Sequence, residues 1–402
     1  MKTDKTLWLV MAAGGLMLSC DTGSKSTGEV QTGVHPCTGY VTDALWMDSS
    51  QRGYLGCGTD AAGIGFWQTE DGGQSWSAVT DAQTGETFFS TFRVVDVWRS
   101  PDNGLLYVSG NSTVGEHRVV SMDESGNLTE VRNNGSLYDY SFTAASYVRT
   151  PSGVEVAEAL TGGQVLVRKD DSQWQKTHSE HNGWANGYGW WESDPEGDAH
   201  GGIMDLDVIG EAIVGCGSSI SEPPVVFLPP RDWTFGTDAD GDEDGTVEQL
   251  WEVVPLVDDS FSEYYGEMWD IDADDGGLVV GGVNQAADEG MIYSIGPEWA
   301  ETGYDLSGWT VFKVSDLLGT TDSTWVRGVC RSGERIIAVG EYSNTSQGFV
   351  LLSDDGGASF SDLSDDVSAS GAADLPPLQR CQILSDGTWA AAGGAGAFIL
   401  SN

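Results

Sequence analysis

The chain reads as all-β, a ring of short antiparallel sheets, on three observations. Helical periodicity is almost absent: short runs rich in Val, Ile, Tyr, Trp and Phe alternate with clusters of Gly, Asp, Asn and Ser. Fifty-five glycines against 12 prolines suit many tight turns. A unit of roughly 40–50 residues recurs along the chain.

The clearest unit spans 324–363. It holds an inner strand, a turn at Ser332–Gly333, the strand IIAVG, a loop, the strand GFVLLS, the turn DDGGAS and a last strand. Residues 41–79 repeat that order with YLGCG, GFWQT and EDGGQS. Weaker copies cover 93–131, 138–177, 201–254, 267–314 and 378–401, the last one strand short. A lone four-stranded sheet cannot bury both faces, but sheets stacked face to face around an axis can. The expected fold is therefore a single β-propeller of seven four-stranded blades, with six or eight as alternatives. A strand at 35–40 is expected to complete the last blade and close the ring.

The N-terminal stretch is a targeting segment. Lys2 and Lys5 precede an apolar run of 12 residues, Leu7 to Leu18, followed by Ser19 and Cys20. The run is too short to span a bilayer and suits the core of a signal peptide. A small residue followed by Cys after such a core resembles the bacterial lipobox. That resemblance implies lipidation of Cys20 and a place at the bacterial cell envelope, periplasmic or outer surface; ordinary secretion is the alternative. The domains are then a signal peptide over 1–19, a flexible Ser/Thr/Gly-rich tether over 20–36 and the propeller over 37–402. The membrane is contacted through the lipid only.

The formal net charge is −44, from 62 acidic against 18 basic residues. So acidic a surface repels nucleic acid and argues against a phosphate-binding role. Five cysteines follow Cys20: Cys37, Cys57, Cys216, Cys330 and Cys381. They form no CxxC pair, which argues against a zinc knuckle, and an odd number leaves one thiol free or paired between chains. Cys330 and Cys381 lie on inner strands of consecutive units, where a disulfide would staple the closing blades if the strands are near enough. Cys57 and Cys216 sit at matching second-strand positions and are expected to be small buried residues.

Two segments share Ser/Thr-x-Asp-x-Gly-x-x-aromatic: Thr69, Asp71, Gly73, Trp76 and Ser353, Asp355, Gly357, Phe360. The Asp would accept turn N–H groups, the Gly would supply positive φ and the aromatic would pack the turn. Ser121–Asp123, and Lys169–Asp171 with Trp174, are looser copies. The pattern resembles the Asp-box, or BNR, repeat. Its propellers include sialidases, some glucanases, sortilin-type receptors and photosystem II assembly factors. In that group the motif is structural and lies away from the ligand face, so the resemblance implies fold and leaves activity open.

Candidate chemistry is sparse. A sialidase needs three arginines converging on a carboxylate; Arg93, Arg327, Arg331 and Arg380 lie on or near inner strands, but no Tyr–Glu nucleophile can be assigned. Asp238, Asp240, Asp242, Asp244 and Gly245, with Glu248 beyond, resemble a calcium loop of hard oxygen ligands; a solvated acidic turn is the alternative. His178, Glu180, His181, Asp198 and His200 lack metal-site spacing and read as surface residues. Calcium is the one cofactor considered, and no organic cofactor is expected. The loop 183–191 carries Trp184, Tyr188, Trp190 and Trp191, and the loop 261–266 carries Tyr264 and Tyr265; a third connection holds Phe88 and Phe89. These connections fall on the face opposite the Asp-box turns, where aromatics would stack sugars or grip a polypeptide. The resulting reading is a non-catalytic binding or scaffolding lipoprotein recognising a glycan or protein. The alternative is a secreted, sialidase-like glycoside hydrolase on the same face, which needs two carboxylates about 5–10 Å apart.

Overall fold

A computed structural model describes residues 30–37, 41–59, 62–85, 92–100, 103–112, 117–133, 147–159, 164–169, 175–176, 203–219, 224–229, 252–256, 266–285, 287–345, 347–369 and 375–401. Strands dominate. The α-helices among the described residues are one or two turns long, Trp299–Thr302, Val314–Leu318 and Ser364–Ala369, and no helix is long and apolar enough to cross a membrane.

Among the described residues the strands form six hydrogen-bonded sheets, five of four strands and one of eight. The eight-stranded sheet consists of two four-stranded antiparallel meanders joined only where Ser218 pairs with Glu267 and Ser219 with Gly266. The described residues thus form a β-propeller of seven four-stranded units, two of them merged in the eight-stranded sheet. Their inner strands are Val41–Met47, Phe92–Arg99, Tyr147–Arg149, Ile203–Ile209, Gly266–Asp274, Thr324–Ser332 and Leu378–Ile383. We number the units 1 to 7 in that order.

The core lies between the sheets. Val94, Val97 and Val108 of unit 2 pack on Ala44, Tyr54 and Phe66 of unit 1. Val214, Cys216 and Val226 of unit 4 meet Met268, Ile271 and Val280 of unit 5. The ring closes where Ala390, Phe398 and Leu400 of unit 7 pack on Leu45, Leu55 and Cys57 of unit 1. Each sheet supplies one wall of two cores, so no unit is stable without its neighbours.

A bulge recurs at one place in the inner strands. The register slips at Asp43, Val95, Met204, Trp269, Arg327 and Gln379. Opposite the preceding residue the second strand places glycine in five of these six: Gly110, Gly217, Gly282, Gly340 and Gly393. The reason is close approach. A Cβ on Gly340 would lie 1.9 Å from the Trp325 carbonyl oxygen, and one on Gly282 1.9 Å from that of Glu267. The bulge twists the inner strand toward the axis, and glycine lets the second strand follow it.

Closure corrects two expectations. The strand that completes unit 7 is Val30–Val34, paired antiparallel with Ala397–Ser401. It lies five residues before the expected 35–40, inside the segment read as tether. Gly33 permits it, since a Cβ there would meet the Gly73 carbonyl oxygen of unit 1 at 2.4 Å. The turn after it is held by His35, fully buried, whose Nε2 donates to the Gly393 carbonyl (2.9 Å) while Nδ1 accepts from Cys37 N–H (3.2 Å). Cys57 is not a mere small buried residue: it is disulfide-bonded to Cys37, with Cα atoms 6.0 Å apart. Cys330 and Cys381 are bonded across 5.7 Å. Among the described residues Cys216 is the free cysteine, buried in the core between units 4 and 5, and burial pushes its pKa well up.

Candidate functional site

Each inner strand starts on one face of the propeller, here the mouth face, and ends on the other, the turn face, which carries the first-to-second and third-to-fourth strand turns. Along the axis is a cavity of 640 Å³. All seven inner strands line it, through residues such as Asp43, Asp96, Val148, Asp205, Asp270, Val329 and Arg380. Trp46, Trp98, Arg99 and Arg149, late in their strands, line its turn-face end.

The channel carboxylates are mostly spent on the next unit. Asp96 Oδ2 accepts from Tyr147 N–H at 3.5 Å, Asp205 from Ile271 (3.2 Å) and Asp207 from Ala273 (2.6 Å). Asp270 accepts from Val329 and Asp272 from Arg331, both at 2.7 Å, and Asp274 from Gly333. At the closing seam glutamine takes over: Gln379 accepts from Thr42 N–H at 2.6 Å and Gln382 from Met47 N–H. An inner strand has an unpaired edge along the axis. These side chains satisfy it, always in the direction from one unit to the next in chain order.

The cost is crowded charge. Burial, with the Asp205 charge second, pushes Asp96 up to about 7, and burial pushes Asp272 to about 6. Asp205 is coupled to Asp270 and Asp207 to Asp272, and burial raises Asp205 and holds Asp207 and Asp270 well above the usual carboxylate range. Arg380 is the counter-ion. Its guanidinium donates to the carbonyls of Asp43 (2.7 Å), Arg327 and Gln379 (both 2.9 Å) and lies 4.0 Å from Asp270. Burial works against its charge, but Asp270, Asp205 and Asp43 more than restore it.

The arginines considered for a sialidase do not converge. Arg93 forms a two-point pair with Asp43 (2.6 and 2.8 Å), Arg331 pairs with Asp274 (2.9 Å), and Arg327 pairs with Glu341 (2.8 Å).

The two Asp/Gly/aromatic segments close third-to-fourth strand turns with one bonding scheme. Asp71 Oδ1 accepts from Thr69 Oγ1 (2.9 Å) and Ser75 N–H (2.8 Å), and Asp355 Oδ1 from Ser353 Oγ (2.8 Å) and Ser359 N–H (2.9 Å). The Ser359 hydroxyl, with Ser353 and the Ser359 N–H behind it, pulls Asp355 down to about 2, and the Ser75 hydroxyl lowers Asp71. Gly73 and Gly357 have φ of 85° and 87°. The aromatics reach the preceding unit: Trp76 packs edge-on against Phe398 of unit 7, and Phe360 against Phe312 of unit 5. In unit 2, Asp123 caps its turn similarly, accepting from Ser125 and Asn127 N–H groups at 2.9 Å.

Cys20, Trp184, Tyr188, Trp190, Trp191, Tyr264, Tyr265 and the acidic run Asp238, Asp240, Asp242, Asp244 and Glu248 lie outside the described residues. Among the described residues, no cluster of His, Cys, Asp and Glu is arranged to hold a metal ion. Sequence reading missed the axial carboxylate ladder. The alternation IMDLDVI and GEMWDIDAD was the available signal, since acidic residues two apart on a buried strand share one face.

No protein-family model matches the chain, and no curated protein matches it. Solved structures do. The chain is similar to YCF48 bound to D1 peptide (16% identity, TM-score 0.54, covering 93% of this chain and 96% of that one). It is also similar to YCF48 from Cyanidioschyzon merolae (14%, 0.54, 92% and 98%). A GH74 xyloglucanase from Xanthomonas campestris matches at 10% identity and TM-score 0.55 over 92% of this chain, which spans about half (53%) of that one. At these identities the likeness establishes one thing, the β-propeller fold.

Proposed function

We propose that the protein is an Asp-box propeller that binds or scaffolds a glycan or protein without acting on it, held at the cell envelope by a lipid on Cys20. The carrying observation is how the axial carboxylates are used. Glycoside hydrolysis needs two carboxyl groups about 5–5.5 or 6.5–9.5 Å apart, with space between for an anomeric carbon or a water. Here Asp205 is coupled to Asp270 and Asp207 to Asp272, and each of the four accepts a backbone N–H from the following unit. Such groups hold the ring together. The cavity beside them has the volume of a ligand site. YCF48 with its D1 peptide is a precedent for a ligand on this fold, and the xyloglucanase is the precedent for the hydrolase alternative.

The test pairs capture with turnover. A photo-crosslinking side chain at Gln382, inside the cavity, captures a ligand from the envelope fraction, and the same side chain at the exposed turn residue Gly319 does not. Release of reducing ends from polysaccharide that disappears in Asp205→Asn or Asp270→Asn would overturn the non-catalytic reading.

A further inference from the structure

The mouth face carries a second constellation, on the inner strands of units 5 and 6. Trp269 stands at the unit 5 bulge, Arg327 at the matching bulge of unit 6, and Trp325 two residues before it. The guanidinium carbon of Arg327 lies 4.0 Å from the Trp269 ring centroid and 4.6 Å from that of Trp325. The two indoles are 5.9 Å apart at 67°. Each planar group is fixed from behind. Trp269 Nε1 donates to Glu267 Oε2 (2.7 Å), Trp325 Nε1 to Asp288 Oδ1 (2.8 Å), and Arg327 Nε and Nη2 to Glu341 Oε1 (both 2.8 Å). All three planar groups remain partly exposed.

We propose that this is a binding platform for a neutral, gluco-configured sugar chain. The inference deepens the reading of the protein as a binding module and rests on it. A pyranose ring with equatorial hydroxyls has an apolar C–H face and a polar rim. The indoles, set at 67° to one another, and the guanidinium between them offer an angled, weakly hydrated surface for the first. For the second, one oxygen each of Glu267, Asp288 and Glu341, and Arg327 Nη1, have no partner among the described residues.

Other ligand classes fit less well. Three carboxylates against one guanidinium repel a phosphate or carboxylate ligand. A cationic ligand finds its place against the two rings already taken by Arg327. An apolar peptide would strip water from carboxylate oxygens and return no donors. Sugar hydroxyls supply those donors. Because the indole N–H groups are already tied down, little side-chain freedom is lost on binding.

The experiment titrates the full-length protein in detergent with cellohexaose and with chitohexaose, read by tryptophan fluorescence and calorimetry. Saturable binding to at least one chain is expected in the range of about 10 μM to 1 mM, weakened at least about tenfold in Trp269→Ala and in Trp325→Ala with the melting temperature checked. If those variants fail to fold, Arg327→Lys reads the same loss, because lysine keeps the charge and loses the planar surface. Absence of saturable binding to both chains, or binding unchanged in the variants, overturns the platform and leaves the non-catalytic reading intact. Cleavage of a bound chain overturns that reading and leaves the platform standing.

Discussion

At the residue scale, a position that looks like turn punctuation is a contact. Gly340, inside its strand, admits no side chain because a Cβ would sit 1.9 Å from the Trp325 carbonyl oxygen. Gly340→Ala is therefore expected to cost about 1–3 kcal/mol or more through overpacking, read as a lower denaturation midpoint at unchanged m-value. The repeats YVSG, VVGG, IAVG and AAGG display this glycine in the sequence. Its cause was hidden there, since a bulge in the partner strand leaves no local signature.

The axial acids carry a pH dependence with a definite sign. Asp272, near 6 when folded, and Asp96, near 7, lie above their unfolded value of 3.8. Between those values the folded protein holds protons that the unfolded chain has released. Their contribution is present below about 3.8 and is lost as pH rises through 6 to 7. Asp272→Asn should flatten this decline, and a melting temperature that rises relative to wild type between about pH 4 and about pH 7, which bracket the Asp272 window, would register it. His35 acts oppositely. Its folded value near 4, set by burial, is below the unfolded 6.5, so its contribution is intact above 6.5 and lost as pH falls toward 4, by about 3 kcal/mol in all. His35→Gln should remove that acid-side loss.

At the scale of elements, the ring is held where it closes. The Cys330–Cys381 bond ties units 6 and 7, and Cys37–Cys57 ties the closing strand's exit to unit 1. Replacing Cys330 and Cys381 by serine should cost about 2–4 kcal/mol, seen as a lower midpoint in urea and as loss of sensitivity to reductant at that seam. The repeat order and the Asp/Gly turns were legible because they are local: a carboxylate capping N–H groups within four residues, and glycines at positive φ. The closing strand was not. Val30–Val34 sits in a Ser/Thr/Gly-rich stretch, and its pairing with residues about 370 positions away follows from ring geometry. The partner of Cys57 was hidden for the same reason. If the acidic run around Asp240 and Asp242 holds calcium, calcium should raise the melting temperature of wild type, with no rise in Asp240→Asn/Asp242→Asn.

At the scale of the whole molecule, the closing strand sets a direction. The outermost strand of unit 7 begins at Val30, opposite Ser401, on the turn face, and runs toward the mouth. Only nine residues, Asp21 to Glu29, separate it from Cys20, a reach of about 30 Å when fully stretched. Turning the ring over would use nearly all of that length to climb past its own rim. If Cys20 carries a lipid, the disc should rest hairpin side down, with Trp269, Arg327 and Trp325 facing outward like a dish on a short stalk. In vesicles, a lipid-borne quencher should then dim a fluorophore at Gly387 more than one at Asn344. Whatever the dish collects would arrive from the aqueous side and not from the bilayer.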